Sequence, residues 1–408
     1  MIQVSACRAV SFGLVLSISV PCAALAEPWD LNGHITLDSR YFLNDSEYTN
    51  QKNMRFSPSA SIEFEAVYEA NDGSDRLTFT PFARKDADDV NRTHADVREL
   101  SWLHLGRRWD MTVGLSKVYW GVTESAHLVD IINQTDTAED IMGEKKLGQP
   151  MININMEQQW GVLNMFVLPG FRTRSFTAND ARLHGPLAID VNNATFEASQ
   201  KERHLDWAMR WTQTFNNWDI GVSHFQGTSR EPRMLPQFSA TTALPVLVPH
   251  YDLISQTGLE LQLTTEDILW KAETISRAGH GPRFAAAVFG FEYTKYSVLN
   301  SVADVGVLVE YLYDGREMNL APPSFANHDL FAGVRMTMND VQDSKVLMGG
   351  MIDTQTHATF LNLEAERRLA GNVKVEINGR LLMNIPDDDG LVWMRNDDFI
   401  ELKLHWYF

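Results

Sequence analysis

The sequence is poor in cysteine, and its two cysteines lie close together near the start. Cys7 and Cys22 both fall within the first 26 residues, where a basic residue precedes an apolar run and a small-residue cleavage pattern. This order of regions predicts a secretory signal peptide over residues 1–26. The exported chain 27–408 would then contain no cysteine, which excludes a disulfide-linked fold.

Long apolar runs and an excess of positive charge are also lacking. After residue 26 no stretch offers the roughly 20 apolar residues that a transmembrane helix needs. The net charge of −18 argues against nucleic-acid binding, which requires a basic surface. An exported chain without spanning helices leaves three locations, which are the periplasm, the surrounding medium and the outer membrane.

Enzymatic motifs are lacking as well. The chain contains neither the G-x-S-x-G pattern of a serine nucleophile nor the H-E-x-x-H pattern of a zinc hydrolase. One alternative is an outer-membrane hydrolase, whose turnover a single His or Ser substitution would abolish. The sequence supplies no paired nucleophile and base for it, so we predict that the protein is not an enzyme.

The C-terminal residues distinguish between the three locations. Ile400, Leu402, Leu404 and Trp406 alternate with polar residues up to the terminal Phe408. Strands of outer-membrane barrels alternate in this way because one face meets lipid and the other faces the lumen. The same alternation recurs in segments 31–40, 62–66, 205–211, 259–263 and 373–378.

The links between such segments alternate in length. Short links contain residues that are typical of tight hairpin turns. Link 71–73 is Asn-Asp-Gly, and link 106–108 is a Gly followed by two Arg residues. Most intervening links are longer, although two of them, near Gly279 and Gln355, are short. We therefore predict an all-β fold, a transmembrane antiparallel β-barrel of about 18 strands (16–18) that occupies residues 27–408.

The segment 119–150 follows no strand pattern. It is too apolar between Leu128 and Ile132 for a solvated loop, and it becomes acidic further on. We predict that this segment folds inward and forms a constriction or a plug in the barrel. The residues predicted to form the constriction are Trp120, Glu124, His127, Asp130, Asn133 and Asp136.

Three of these residues also raise the question of a metal site. Glu124, His127 and Asp130 recur every three residues, which would place them on one face of a helix. A constriction segment hydrogen-bonded to the barrel wall explains the same residues. We predict no metal and no cofactor.

Charged residues occupy the polar face of the later strands. They are predicted to line the lumen, either as cross-strand ion pairs or as a selectivity surface for a charged or polar solute. These residues are Lys271, Glu273, Glu310, Arg335, Asp353, Glu364, Glu366, Arg380 and Lys403. In the next long loop, Arg172 and Arg174 would either pair with the acidic constriction or contact lipopolysaccharide phosphates.

Several motifs resemble those of a known family. The strand end Trp120-Gly121 runs into the pattern Asp130-x-Ile132-Asn133-x-x-Asp136, and further matching segments are 168–172, 227–232, 290–294, 310–316 and 364–368. The chain resembles a family of proteobacterial outer-membrane β-barrels grouped as a domain of unknown function, and it is more distantly similar to alginate-export and porin-like barrels. The resemblance implies an outer-membrane location in a Gram-negative bacterium and brings no substrate or catalytic residue. Some relatives are placed beside inner-membrane exporters, which implies an envelope transporter as a partner.

The predicted function is a porin-like channel that passes or exports small polar solutes through a charged lumen. Three acids would set the field of the constriction and three wall cations would balance it, which favours cations or neutral solutes. These residues are Glu124, Asp130 and Asp136, and Arg335, Arg380 and Lys403. The alternative is a plugged barrel that serves as a docking component of an export system for lipid or hydrophobic substrates.

The predicted partners follow from the same location. They are outer-membrane lipid and lipopolysaccharide around the barrel, and the barrel-assembly machinery, which would recognise the C-terminal strand ending at Phe408. Oligomeric state cannot be read from the sequence, and no nucleic-acid partner is expected.

Overall fold

The computed structural model describes residues 29–324 and 327–408, so the predicted signal peptide 1–26 lies outside the described residues. The described chain forms 22 strands. In chain order they are β1 (Trp29–Phe42), β2 (Phe56–Ala70), β3 (Asp75–Asp86), β4 (His94–Leu105), β5 (Trp109–Ser116), β6 (Gln149–Gln158), β7 (Gly161–Leu168), β8 (Ala188–Ile189), β9 (Thr195–Phe196), β10 (Asp206–Phe215), β11 (Trp218–Thr228), β12 (Arg233–Phe238), β13 (Pro245–Tyr251), β14 (Leu253–Thr264), β15 (Ile268–Ala278), β16 (Phe284–Lys295), β17 (Asp304–Asp314), β18 (His328–Thr337), β19 (Lys345–Asp353), β20 (Thr359–Ala370), β21 (Val373–Met383) and β22 (Phe399–Tyr407).

Eighteen of these strands form one closed antiparallel barrel. Each strand pairs with the next barrel strand in the chain, and β22 returns to pair with β1 over the register from His34–Tyr407 to Phe42–Phe399. The short strands β8, β9, β12 and β13 stand outside this sheet. The predicted all-β antiparallel barrel of 18 strands is confirmed.

The alternation of the sequence explains why these segments pair as they do. Along β22, the side chains of Ile400 and Leu402 are about half exposed on the outer face, whereas Glu401 between them is only 4% exposed on the inner face. On β1, Leu37 pairs with Leu404 and extends the apolar outer face across the seam. A one-residue slip would turn the apolar set inward, so the outward apolar face fixes the register.

The links of the barrel alternate as the sequence indicated. Eight links lie at the end of the barrel that also holds Trp29 and Phe408, and nine lie at the other end. The two short links among the nine are 279–283 and 354–358. In the first of these, Gly279 has a φ of +111°, and a Cβ there would lie 2.2 Å from the carbonyl oxygen of Leu253. Such a tight turn requires glycine.

The long link between β5 and β6 begins and ends slightly earlier than the sequence suggested. Strand β5 ends at Ser116 and β6 begins at Gln149, so the link covers residues 117–148. Gln149 and Pro150, which were assigned to the inward-folding segment, belong to the barrel wall. We call residues 117–148 the inner segment.

The long links at this end of the barrel are joined to one another. Strands β8 and β9 of link 169–205 pair with β13 of link 229–252, and β13 pairs with β12 in a hairpin. Arg182 of link 169–205 lies 2.7 Å from Asp397 of link 384–398, and both side chains are fully buried. Leu183 packs with Phe42 and Phe399 at the ends of the seam strands. Among the described residues, no helix is long and apolar enough to cross a membrane.

Candidate functional site

The inner segment contacts inward-facing side chains on opposite sides of the barrel. Near its start it is bound by Glu310 on β17, and further on it is bound by Arg98 on β4. Eight barrel strands separate β4 from β17 in either direction around the sheet. The inner segment therefore lies across the lumen.

Glu273 on β15 binds the backbone at the start of the inner segment. Its Oε1 accepts hydrogen bonds from the amide of Val122 (2.7 Å) and from the amide and hydroxyl of Thr123 (3.0 and 2.7 Å), and its Oε2 accepts one from the amide of Val129 (3.3 Å). Gly121 has a φ of +113°, and a Cβ on it would lie 2.7 Å from the same Oε1. Glycine at this position allows the backbone to approach the carboxylate.

Glu310 on β17 binds the next residues in the same way. Its carboxylate accepts hydrogen bonds from the amides of Glu124 (2.9 Å) and Ser125 (2.8 Å) and from the Ser125 hydroxyl (2.5 Å). The Glu124 side chain in turn pairs with Arg335 on β18 at 2.6 Å. We call Glu273 and Glu310 the carboxylate clamp, because together they fix the main chain of residues 122–125.

An apolar cluster holds the middle of the inner segment against the wall. Val129 and Ile132 are fully buried, and Ile131 is 3% exposed. They pack against inward side chains of the neighbouring strands, which are Met151, Phe166, Leu168, Ala208, Phe225, Ile254, Ile275 and Ala286. Full burial of one such side chain stabilises a fold by about 1.5–3 kcal/mol, so this half of the segment is firmly attached.

The acidic half of the inner segment is held by arginines instead. Asp136 lies 2.6 Å from Arg98 on β4, and Glu139 lies 3.0 Å from Arg84 on β3. Further along, Asp140 lies 3.3 Å from Arg380 on β21. The inner segment is therefore attached by apolar packing on one side of the lumen and by ion pairs on the other.

The six residues predicted to form the constriction all lie in the inner segment, but they differ in exposure. Trp120 belongs to the apolar cluster and is 5% exposed. Asp130 forms a very short ion pair with Lys146 of the same segment, and both side chains are buried. Asp136 is 1% exposed in its pair with Arg98. These three side chains contact protein rather than open lumen.

The other three constriction residues have different surroundings. Asn133 accepts a hydrogen bond from the Val118 amide and donates to the carbonyl oxygens of Ser116 and Leu147, so it joins the two ends of the segment. The side chains of Glu124 and His127 are 26% and 52% exposed.

The spacing of Glu124, His127 and Asp130 does not produce a helix face. The inner segment contains no helix: the His127 ring lies 3.9 Å from Glu273, and His127 contacts Asp130 through the Asp130 amide, which donates to the His127 carbonyl oxygen at 3.2 Å. In the part of the chain that the structure describes, no group of three His, Cys, Asp or Glu side chains is arranged to hold a metal ion.

Most of the predicted lumen charges take part in ion pairs on the inner face. Lys271 pairs with Glu292 at 3.3 Å, Lys403 pairs with Glu401 at 2.8 Å, and Glu366 lies between Lys345 and Lys374. The pairs of Arg335 and Arg380 are those described above, with acids of the inner segment. The sequence suggested these two wall cations as counter-charges to the constriction acids, but it did not indicate which acid each of them pairs with.

Two of the predicted lumen charges have other surroundings. Glu364 accepts a hydrogen bond from the Asn362 side chain at 2.7 Å. Asp353 lies at the end of β19 and accepts hydrogen bonds from the amides of Gln355 and Thr356, so it caps the short link 354–358. Asp353 therefore shapes a turn and does not take part in a lumen ion pair.

The two arginines of link 169–205 point into the protein. Arg172 pairs with Asp96 on β4 at 2.8 Å and donates to the carbonyl oxygen of Gly148. Arg174 donates to the side chain of Gln134 in the inner segment and to the carbonyl oxygen of Arg230. Neither arginine pairs with an acid of the constriction, although both contact the segment or its end.

The sequence analysis missed the arginines that bind the acidic half of the inner segment. Arg84 and Arg98 lie on paired strands, but the register between β3 and β4 shifts between Thr80 and Pro81. The shift places Arg98 and Glu99 on the same inner face, so a strict period of two fails at this point. A run of two charged residues in an alternating strand was the available signal.

A buried histidine at the rim of the barrel makes the stability of this region dependent on pH. His280 is fully buried, and it lies 3.8 Å from Asp252 and close to the charges of Glu231, Arg277 and Arg316. Burial lowers the pKa of His280 to about 4. A histidine in an unfolded chain has a pKa of about 6.5. The neutral His280 therefore contributes to the free energy of unfolding above pH 6.5, and up to about 3 kcal/mol of that contribution is lost as the pH falls towards 4.

We therefore expect His280→Gln to reduce the loss of stability on acidification. Urea unfolding in lipid vesicles at pH 7.5 and pH 4.5 measures this loss for each protein. His357→Gln changes an exposed histidine in another short link and serves as the control. A loss in His280→Gln as large as in the unaltered protein would contradict the assignment.

Comparison with known proteins gives structural neighbours only. No protein-family model matches the chain, and no curated protein matches it, so these comparisons do not show the family that the motifs resemble. A variant of the porin of Rh. blastica is 11% identical with a TM-score of 0.44, covering 93% of this chain and 100% of that one. OmpT, an outer membrane protein of Vibrio cholerae in trimer form, is 9% identical with a TM-score of 0.45, covering 93% of this chain and 99% of that one. Similarity at this level does not identify what this chain does.

Proposed function

We propose that the protein is an outer-membrane channel of a Gram-negative bacterium that passes small polar solutes past the inner segment. The observation that carries the proposal is the position of that segment, which crosses the lumen of a closed barrel and is bound by charged side chains on opposite walls. An apolar outer face and a charged inner face suit a barrel that separates lipid from a hydrated path. Outer-membrane lipid and lipopolysaccharide would surround the outer face.

The charges along the path support a preference for cations. Glu63 on β2 faces inward beside His34, and Glu364 faces inward on β20. In residues 29–324 and 327–408, no basic side chain forms an ion pair with either carboxylate, whereas most other inward acids are paired. Unpaired carboxylates in a narrow lumen attract cations and repel anions, because little water screens them.

The test is single-channel conductance in a planar bilayer of chain 27–408, compared with a version that lacks residues 122–144. We expect the intact chain to conduct and the shortened chain to conduct more, because the deletion removes the clamped turn and the acidic half of the inner segment. Silence from both versions would contradict the proposed channel.

A second candidate function is a plugged barrel that docks a partner in an envelope export system. The complete burial of Val129 and Ile132 and the buried pair Arg182–Asp397 favour it, because the first attaches the inner segment to the barrel wall and the second joins links 169–205 and 384–398. This candidate predicts that the intact chain is silent and that large openings appear only after the deletion.

The C-terminal strand suits recognition by the barrel-assembly machinery, which we propose as a partner during folding. Phe408 exchanges two backbone hydrogen bonds with Gly33, at 3.0 and 3.1 Å, and so completes the seam between β22 and β1. Its ring covers Gly33, where a Cβ would lie 2.7 Å away. The seam forms only when β22 reaches β1, so Phe408 is available until the barrel closes.

A further inference from the structure

Polar side chains cluster on one part of the outer face of the barrel. They belong to three neighbouring strands, β11, β14 and β15, and they share the face that carries Leu259 and Trp218. The six residues are His224, Gln226, Ser255, Thr257, Thr274 and Ser276. We call this set the outer polar patch.

The opposite side of the barrel shows what an ordinary outer face of this chain looks like. On the seam strands, Ile35 pairs with Trp406 and Leu37 pairs with Leu404. Leu402 on the same face is 48% exposed. Apolar residues continue there along the middle of the strands, as contact with lipid tails requires.

The centre of the outer polar patch lies within the depth expected for the hydrocarbon. Trp218 and Trp270 stand next to short links at one end of the barrel, where aromatic residues prefer the lipid interface. Leu263 pairs with Trp218, and Thr257 lies six residues further along the same strand. Six residues at about 3.3 Å each and a tilt of about 40° rise roughly 15 Å, inside an apolar band about 25 Å tall.

Lipid tails cannot satisfy the side chains of the patch. His224 Nδ1 lies 2.9 Å from the Thr257 hydroxyl, and Arg283 donates to the Ser276 hydroxyl at 3.0 Å. Within the described chain, the side chains of Gln226, Ser255 and Thr274 have no hydrogen-bond partner. A polar group without a partner in hydrocarbon costs free energy, whereas a protein surface can supply one.

The shape of the surrounding face permits close approach of another protein. Small side chains border the patch, namely Ala272, Ala278, Ala285 and Ala287. Towards the short links the face forms an apolar groove of about 460 Å³, lined by Trp218, Leu261, Trp270, Phe289 and Tyr311. Small residues beside a recess are typical of contacts between proteins inside membranes, because they let backbones approach and side chains interlock.

We infer that the outer polar patch is the contact face for a second copy of this chain. The hydroxyls, the imidazole and the amide of the patch each donate and accept hydrogen bonds, so the patch is complementary to itself. A two-fold contact brings the same patch together from both copies and requires this property. The six residues of the patch include no Asp, Glu, Lys or Arg, although the Arg283 guanidinium reaches the edge of the patch at Ser276. The inference rests on the proposed membrane location but not on conduction.

Replacement of the patch by apolar residues separates a protein contact from a lipid contact. In the double variant Thr257→Leu with Ser276→Leu, we expect the folded protein in detergent to sediment as a monomer at concentrations where the unaltered chain sediments as a dimer or larger assembly. The matched control, Ile35→Thr with Leu402→Thr, changes the opposite outer face and should keep the assembly. A monomeric unaltered chain, or a patch variant that still assembles, would overturn the inference.

Disulfide cross-linking tests the same contact if the leucine variant does not fold. The exported chain has no cysteine, so Thr257→Cys and Leu402→Cys each introduce a single thiol. Oxidation in native membranes should link Thr257→Cys into covalent dimers and leave Leu402→Cys unlinked. No link at position 257, or equal linkage at both positions, would overturn the proposed contact. Because assembly is measured without conductance, its failure is distinguishable from failure of the channel.

Discussion

The double variant Glu273→Gln with Glu310→Gln should conduct several-fold more than the unaltered chain in planar bilayers, with larger current fluctuations. The two carboxylates accept hydrogen bonds from seven donors of the inner segment. Each hydrogen bond to a charged group contributes about 1.5–3 kcal/mol. A glutamine keeps one acceptor oxygen, but it removes the charge and turns its NH2 group towards backbone amides that also donate, so the start of the segment would be held much more weakly.

The matched control for the carboxylate clamp is Glu366→Gln. Glu366 also faces inward and lies between two lysines, but it does not contact the inner segment. We expect this control to change conductance little. Conductance of the double variant that equals that of the control would mean that the apolar cluster alone holds the segment.

The barrel strands could be predicted because the alternation that specifies them involves residues adjacent in sequence. Each residue that faces lipid must be followed by one that faces the lumen, so the pattern of Ile400 to Phe408 already specifies a strand and its orientation. The small sheet of β8, β9, β12 and β13 could not be predicted. It joins two links of the chain that are distant in sequence, and two of its strands contain only two residues.

The sequence predicted an inward-folding segment over residues 119–150 but not the partners of its side chains. Its apolar centre and acidic end are visible in the order of residues, and both occur in the structure. The partner of Asp136 is Arg98, which lies where the register shifts, so no period of two points to it. The lumen charges Arg335 and Arg380 were predicted as wall counter-charges to the acids of the constriction, and the particular acid that each one pairs with depends on how the segment crosses the barrel.

Two of the acids predicted to set the field of the constriction have different roles. Glu124 should affect ion selectivity, which the reversal potential measures, and Asp130 should affect the attachment of the inner segment, which the stability of the conductance measures. The Glu124 side chain is 26% exposed and pairs with Arg335, whose side chain is 39% exposed. In Glu124→Gln the guanidinium of Arg335 loses its nearer counter-charge beside the lumen and keeps only Glu292, at 3.8 Å. We therefore expect the reversal potential in a salt gradient to shift towards lower cation preference, and an unchanged reversal potential would contradict a role of Glu124 in selectivity.

Asp130→Asn should act through the attachment of the segment rather than through selectivity. Asp130 and Lys146 are 6% and 9% exposed, so the substitution leaves a buried ammonium without a counter-charge, bound only to the carbonyl oxygen of Val118 and the Tyr119 ring, at a cost of about 3–5 kcal/mol. We expect unstable conductance with little change in reversal potential. The further variant Asp130→Asn with Lys146→Met should restore stable conductance, because replacing a buried ion pair by groups without net charge is often neutral. If the single variant instead shifted the reversal potential as Glu124→Gln does, Asp130 would have to face the solute path, against its burial.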